Sequence, residues 1–367
     1  MHSPSTLIIN SIHTRVIMSL NKVKEWYADW REDLDELTGN GRYVRFIEVG
    51  VSVYLLCMLG LGFYWSTEPE LFEPEDYLVR PSVDASTRQV TGYATTMTLI
   101  KITEALLDKQ GGYISNDVFP PGVWLDNINH WEKGVLVQVR DLARSFRNDF
   151  SRSQSQSVED EDLAIAEPQF FFNSDSWILP PTEDEYRQGV DKLEHYLVRL
   201  TDPQHKNAQF FARADNLRNW LAEVETRLGS LSQRLSASVG KRQLNIDLAG
   251  DAYAVQATEV PKEEEVKTAW TELDDIFYEA RGSSWALIHI LKAVEVDFRE
   301  VLQKKNALVS LRQIIRELEG TQEAVWSPVI LNGSGFGFVA NHSLVMASYI
   351  SRANAAIIDL RTLLSQG

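Results

Sequence analysis

Residues Phe46 to Trp65, FIEVGVSVYLLCMLGLGFYW, form one apolar run of twenty residues with a single charge, Glu48. At about 1.5 Å per residue, a helix of this length spans the roughly 30 Å hydrocarbon core of a bilayer. The run has no second copy, so it divides the chain into a short N-terminal tail and a much longer C-terminal part. A secretory signal peptide would have a shorter apolar region followed by a small-residue cleavage site. Here Trp65 is followed by STEPELFEPED. A core helix of this length would carry a polar face, and this run has none. The run therefore reads as an uncleaved transmembrane helix whose partner is the lipid bilayer.

The flanks give a direction. Arg42 and Arg45 precede the run, whereas Glu68, Glu70, Glu73, Glu75 and Asp76 follow it, with Arg80 the nearest cation. Lys and Arg are retained on the cytoplasmic side, which places the tail in the cytoplasm and the large part outside, in the periplasm of a Gram-negative cell. Tyr43, Phe46, Tyr64 and Trp65 fit interfacial aromatic belts. Glu48 lies in the first turn, where a carboxylate reaches toward the headgroups. Met18 competes with Met1 as the start, because HSPSTLIINSIHTRVI reads like translated upstream sequence, so residues 1–17 are expected not to be native.

The chain has 36 Lys and Arg against 52 Asp and Glu. After Trp65 the balance is 30 basic to 45 acidic residues. That excess argues against nucleic acid and against a polybasic membrane patch. The single cysteine, Cys57, lies inside the apolar run, which leaves the exported part without a disulfide, a thiol nucleophile or a Cys-ligated metal. Catalytic signatures such as HExxH, GxSxG, SxxK and the P-loop are absent, and no metal or cofactor motif is present.

Residues 1–45 form the expected cytoplasmic tail, with an amphipathic helix marked by Leu20, Val23, Tyr27, Trp30, Leu34 and Leu37. The transmembrane helix occupies 46–65, and Pro and acidic residues mark 66–92 as an extended linker. Residues 93–367 read as a helical periplasmic domain. Helices are expected over Thr95–Lys109, Val123–Phe150, Thr182–Leu200, Phe210–Leu235, Val266–Lys304, Ala307–Glu319 and Val339–Leu364. Thr182 and Glu185 have capping-box spacing, and Gly282 is expected to kink or break its helix. Residues 240–265 are irregular, with room for a short hairpin.

Two apolar seams stand out. Tyr186, Val190, Leu193, Leu197 and Leu200 line one helix; Phe210, Ala214, Leu217, Leu221, Val224, Leu228, Leu231 and Leu235 line the next at heptad spacing. Their short connection predicts a long antiparallel helical hairpin. The sharper alternative is a homodimer through the seam from Phe210 to Leu235. The fold class is thus mainly all-α: one N-terminal transmembrane helix and a multi-helix exported domain.

Two polar segments supply candidate chemistry. WTELDDIFYEARGSSWALIHI carries Asp274, Asp275, Glu279, Arg281 and His289, and NHSLVMASYISRANAAIIDL carries Asn341, His342, Arg352, Asn354 and Asp359. Asp275 and Glu279 share a helix face, and with His289 and His342 they would suit acid–base work if all four converged. The bland alternative is an ion-pair network between two helices, with Arg281 and Arg352 as counter-ions. Asn341 and Asn354 read as residues setting a close helix approach. NGSGFGF, with Asn332, Gly333 and Gly335, reads as a helix-opening loop that offers N–H groups to an anion. GGYISNDVFPPGVWLDNINHWE, with Asp126 and His130, could line a groove for a peptide or glycan, or close over the core. Phe170, Phe171, Phe172 and Trp177 are expected to bury beside it; exposure would instead mark an interface.

GGYISNDVFPPGVWLDN, FNSDSWILPPTEDEYRQGV, FFARADNLRNWL, DDIFYEARGSSWALIHILKAVEVDF and SPVILNGSGFGFVANHSLVMASYISRANAAIIDL resemble the domain-of-unknown-function family 2333 of bacterial inner-membrane proteins, from about Trp26 to Gly367. The resemblance implies one transmembrane helix and a helical exported domain, and carries no activity from which a catalytic residue could be transferred. The leading functional expectation is a protein whose exported domain binds or scaffolds another cell-envelope component, with a protein partner. The alternatives are a periplasmic hydrolase of an envelope polymer and an extracytoplasmic ligand sensor.

Overall fold

The computed structural model describes residues 41–74, 90–154, 156–202, 207–244, 263–334 and 337–366, together with 22, 24–29, 32 and 204. Most of the tail seam, the region around Met18, linker residues 75–89 and Gly335 lie outside the described residues. The chain forms two compact units, Met1–Leu61 and Gly62–Gly367.

Helix α1, Gly41–Trp65, contains the apolar run. Among the described residues, its stretch Tyr43–Trp65 is the one helix long and apolar enough to cross a membrane, and almost none of it is buried. Phe46, Leu56 and Phe63 are all exposed, which is the surface of a helix meant for lipid rather than for a protein core. In the first unit the Tyr27 hydroxyl donates to the Glu48 carboxylate (2.9 Å).

The second unit is a helical assembly of α2 (Tyr93–Asp108), α3 (Asn127–Ser145), α4 (Leu163–Phe170), α5 (Thr182–Thr201), α6 (Ala214–Ser236), α7 (Leu273–Asp297), α8 (Arg299–Lys304), α9 (Leu308–Glu319) and α10 (His342–Ser365). A two-stranded antiparallel ribbon, β1 (Lys241–Leu244) with β2 (Glu263–Val266), provides the short hairpin expected after Gly240.

Helix α7 is the centre. Its sequence is apolar or small almost all round, and every residue from Gly282 to Leu291 is buried, as a helix surrounded by others requires. It packs on α2, α3 and α9. Gly282 does not break it. A Cβ on Gly282 would lie 2.0 Å from the Trp131 carbonyl oxygen, and one on Gly134 would lie 2.1 Å from that of Glu279. The two glycines let the backbones of α3 and α7 touch, so the expected kink is instead a close helix crossing.

The predicted hairpin of α5 and α6 does not form. The α5 seam, Tyr186, Val190, Leu193 and Leu197, is buried against α4 and α2, while the α6 seam from Leu217 to Leu235 is buried along α10. The physical reason lies in their connection. Phe210 inserts among Phe146, Phe150 and Phe298, with ring centroids 5.2–5.8 Å apart, and the Phe211 N–H donates to the Phe150 carbonyl (2.7 Å). The link is thus pinned in the core and sends α6 away from α5. A dimer through the α6 seam would have to displace α10. Thr182 does not make a capping box either: its hydroxyl donates to the carbonyls of Asn173 (2.8 Å) and Ser176 (3.1 Å).

Contacts distant in sequence tie the helix ends. The Asp297 carboxylate, at the end of α7, accepts from the N–H groups of Gly92 (2.9 Å) and Thr95 (2.7 Å) at the start of α2, where a negative charge meets the positive end of the helix dipole. The described start of the linker, residues 67–73, forms neither helix nor strand, but it is not free. Glu68 pairs with Arg281 at 2.6 Å, Glu73 pairs with Lys292 at 2.8 Å, and Phe72 stacks on His289.

Candidate functional site

The four catalytic candidates do not converge. Glu279 is bound by Arg234 through two bonds (2.7 and 2.9 Å) and by Lys133 (2.9 Å). Burial works to raise its pKa, but the Arg234 and Lys133 hydrogen bonds outweigh it and hold the carboxyl below its ordinary range. His289 is fully buried in the core, its ring stacked 3.7 Å from Phe72 and edge-on to Trp285 at 4.5 Å. Burial, seconded by the nearby Lys292 ammonium, lowers its pKa to about 3. It is a neutral core ring rather than a proton shuttle.

Asp275 instead meets two residues from the aromatic loop and the start of α3. The Nε2 of His130 lies 3.3 Å from Asp275 and 3.6 Å from Asp126. Burial raises the Asp275 pKa; His130 opposes the shift, and the Asp126 and Asp274 carboxylates add to it. Each of Asp126, His130 and Asp275 offers one ligand atom within 4.8 Å of the others, a spacing a metal could bridge, although Asp126 is exposed.

Asn332, Gly333 and Asn341 build a loop. The Asn341 side chain caps α10 by accepting from the Leu344 N–H (2.9 Å) and donates to Asn332 (2.8 Å) and to the Gly333 carbonyl (2.6 Å). Asn332 reaches on to the Ser238 carbonyl (2.9 Å). A Cβ on Gly333 would meet the Val339 carbonyl at 2.0 Å. Asn341 therefore acts as an N-cap rather than a helix spacer. Asn354 does not mark a close approach either: its amide lies 3.6 Å from a Cβ built on Gly229, an ordinary van der Waals distance. Arg352 is exposed, pairs with Glu317 at 2.8 Å and covers the Tyr349 ring at 4.6 Å. Among the described residues no ion pair joins α7 to α10: Arg281 pairs with Glu68 and Arg352 with Glu317 of α9, so the network expected between those two helices does not form and each arginine is used elsewhere.

A cleft of about 320 Å³ opens beside the start of α10. Phe277, Val325, Trp326, Met346 and Tyr349 supply apolar walls, and His342 and Arg281 lie at its edge. Of the four catalytic candidates, His342 is the one that lines it. His342 Nδ1 accepts from the Leu331 N–H (3.1 Å), so in the neutral ring the proton sits on Nε2, a donor. Arg281 is fully engaged: it binds Glu68 and the carbonyls of Thr321 (3.0 Å), Gln322 (3.1 Å) and Glu323 (2.8 Å). It shapes the cleft wall by fixing the turn after α9. Sequence reasoning missed Trp326 and Tyr349; an isolated Trp before Ser327-Pro328 was the available signal.

The aromatic segments divide. Phe170 is buried and Phe172 packs on the core, but Phe171 and Trp177 are exposed, as are Phe119 and Trp124. The expectation that Phe171 and Trp177 bury is therefore corrected: Phe171 lies at the surface under Arg144, and the tight 176–182 loop, closed by Thr182 N–H to Ser176 carbonyl (2.9 Å), turns Trp177 outward.

These features define a mainly α-helical protein with, among the described residues, one helix able to cross a membrane, and with an apolar cleft in a helical domain. The chain belongs to the family described as "Uncharacterized protein conserved in bacteria (DUF2333)", which it matches over residues 39–367. The match begins later than the Trp26 suggested by the motifs. No curated protein and no solved structure matches the chain.

Proposed function

We propose that this is a single-pass inner-membrane protein whose helical periplasmic domain binds another envelope component in the cleft beside α10. The N-terminus is cytoplasmic on this reading, because Arg42 and Arg45 lie before the apolar run and the acidic linker lies after it. The observation that carries the binding role is the cleft itself: apolar walls, a few polar side chains in the lining (His342, Ser327 and Glu323) and an arginine already occupied by the protein. Such a site suits an apolar group flanked by polar atoms, as a segment of a protein partner would present. The dispersal of Asp275, Glu279, His289 and His342 removes the arrangement on which the hydrolase alternative depended.

Alkaline phosphatase fused after Gly367 is expected to be active; an inactive fusion with an active cytoplasmic reporter overturns the topology. A photo-reactive residue in place of Trp326 is expected to give one discrete adduct in cells. Val345→Arg, on the exposed rim, should abolish that adduct while leaving the unfolding transition unchanged. An adduct pattern indifferent to Val345→Arg, or adducts only to the protein itself, refutes binding in this cleft.

A further inference from the structure

Two loops outside the cleft expose a run of large apolar side chains. Phe119, Val123 and Trp124 lie on one; Trp177, Ile178 and Leu179 lie on the other, with Leu179 88 % exposed. Single exposed apolar residues are ordinary, but a contiguous group of this kind marks an interaction surface. The group is contiguous because the loops are bound together. The Phe119 and Trp177 rings meet edge to face at 5.5 Å. Asn116 donates to the Ser176 carbonyl (2.9 Å) and to Glu183 (2.7 Å), and the Tyr113 hydroxyl donates to the Ser174 carbonyl (2.9 Å).

The second loop is also held stiffly. The Ser176 hydroxyl donates to the Pro180 carbonyl (2.8 Å), and Leu179 sits in the left-handed backbone region with φ 61°. That conformation is costly for a leucine, and it turns the side chain out from the protein. The surface is therefore preformed.

The first loop also touches the last turn of α1. A Cβ on Gly62 would lie 3.5 Å from Leu125 and 3.6 Å from Pro121, and the Trp65 ring packs against Gly111. Trp65 ends the apolar run, at the depth where a spanning helix leaves the hydrocarbon. The exposed aromatics thus stand beside the point where the chain emerges from lipid. Residues 113–125 and 173–182 contain no Lys or Arg, so attraction to anionic headgroups is not what would hold this surface down.

We propose that the face formed by Phe119, Trp124 and Trp177–Leu179 rests in the interface of the same bilayer that α1 crosses, seating the helical domain on the membrane. The proposal depends on α1 spanning the bilayer. Tryptophan and phenylalanine with aliphatic neighbours are the side chains that favour that depth, and the seat is built by apolar insertion rather than by charge. The domain then has a fixed orientation, and its cleft a fixed height, above the membrane.

The test uses the full chain in bilayer nanodiscs with an environment-sensitive fluorophore on one cysteine at a time. The native Cys57 reports on α1. In a Cys57→Ser background, Leu179→Cys and Ile178→Cys report on the loop, and Val309→Cys, exposed at the start of α9, serves as the aqueous control. Asp275 at one end of α7 contacts His130, and α9 starts beyond its other end, about 33 Å away along the helix rise. Labels at 178 and 179 are expected to emit at shorter wavelength, to be quenched by lipids carrying a nitroxide near the headgroup, and to be several-fold less sensitive to aqueous iodide than the label at 309. This should hold equally in zwitterionic and anionic bilayers. Iodide sensitivity at 179 equal to that at 309, with Cys57 still lipid-quenched, overturns the seat and leaves the spanning helix standing. Shielding from iodide without lipid quenching overturns it in favour of a protein covering the loop. A Cys57 label that lipids carrying a nitroxide deep in the acyl chain do not quench removes the spanning helix and the seat together.

Discussion

The carboxylate of Glu132 lies 2.6 Å from the ammonium of Lys109, and both side chains are completely buried. Glu132 also accepts from the N–H groups of Ile114 (2.9 Å) and Ser115 (2.8 Å), while Lys109 donates to the Gly112 carbonyl (2.5 Å). One buried pair thereby shapes the turn that follows α2 and leads into the exposed aromatic loop. Two ions share the cost of leaving water because each is the other's counter-charge, and backbone groups take up the remaining bonds.

Removing one partner is accordingly worse than removing both. Glu132→Ala leaves the Lys109 ammonium buried without a counter-ion and should cost about 3–5 kcal/mol in urea unfolding followed by tryptophan fluorescence. Adding Lys109→Met to Glu132→Leu should recover most of that loss, short of the two N–H groups that lose their acceptor. Equal stability of Glu132→Ala and the parent would mean that the pair is not buried in solution.

The crossing of α3 and α7 gives a second prediction. A methyl group at Gly282 would overlap the Trp131 carbonyl, a backbone atom that cannot rotate away. Gly282→Ala should therefore destabilise by about 1–3 kcal/mol, although alanine is the better helix former. Gly229, where the nearest atom is a side-chain amide at 3.6 Å, is the matched control within α6. Gly229→Ala should be neutral or stabilising by about 1 kcal/mol on helix propensity alone. A Gly282→Ala protein as stable as the Gly229→Ala protein would remove the close crossing.

The contrast between these glycines shows what was legible. Periodicity located the helices because apolar spacing reflects a buried face whatever covers it. It could not name the covering element, so the α5 and α6 seams were paired with each other when α4, α2 and α10 cover them. That choice turned on Phe210, one side chain in the connection, whose rings of contact are all distant in sequence. The candidate site failed for a related reason. Asp275, Glu279 and His289 share a helix, but successive turns of α7 face different neighbours: His130, Arg234 and Phe72. Polar residues grouped in sequence were thus divided among separate environments. The apolar run was readable without any of this, because its partner is a solvent rather than a fold.

Asn341 tests whether the loop before α10 is a cap or a ligand site. Asn341→Ala removes the acceptor of the Leu344 N–H and the donor to Asn332 and Gly333, and should cost about 1–2 kcal/mol. Asn341→Asp keeps the acceptor and should lose less. Photo-crosslinking from position 326 should survive in both variants. Loss of the adduct at unchanged stability would make Asn341 part of the binding surface.

His289 makes stability depend on pH. In the folded protein, burial and then Lys292 keep its pKa at about 3; in the unfolded chain it titrates near 6.5. Between these values the unfolded state binds the extra proton, so stability rises with pH. The contribution is fully present above about pH 6.5 and is lost as pH falls toward 3, with a limiting slope of about 1.4 kcal/mol per pH unit. Phe72 stacks on the ring and Trp285 meets its edge, so a phenylalanine fits the same neighbours without a titrating group. His289→Phe should match the parent's stability near pH 7.5 to within about 1.5 kcal/mol and gain on it steadily at lower pH. Unfolding free energies measured from pH 4 to 8 give the difference directly, and buried acids such as Glu132 and Asp297, common to both proteins, cancel from it. Parallel curves would mean that His289 already carries its proton in the fold or meets water there.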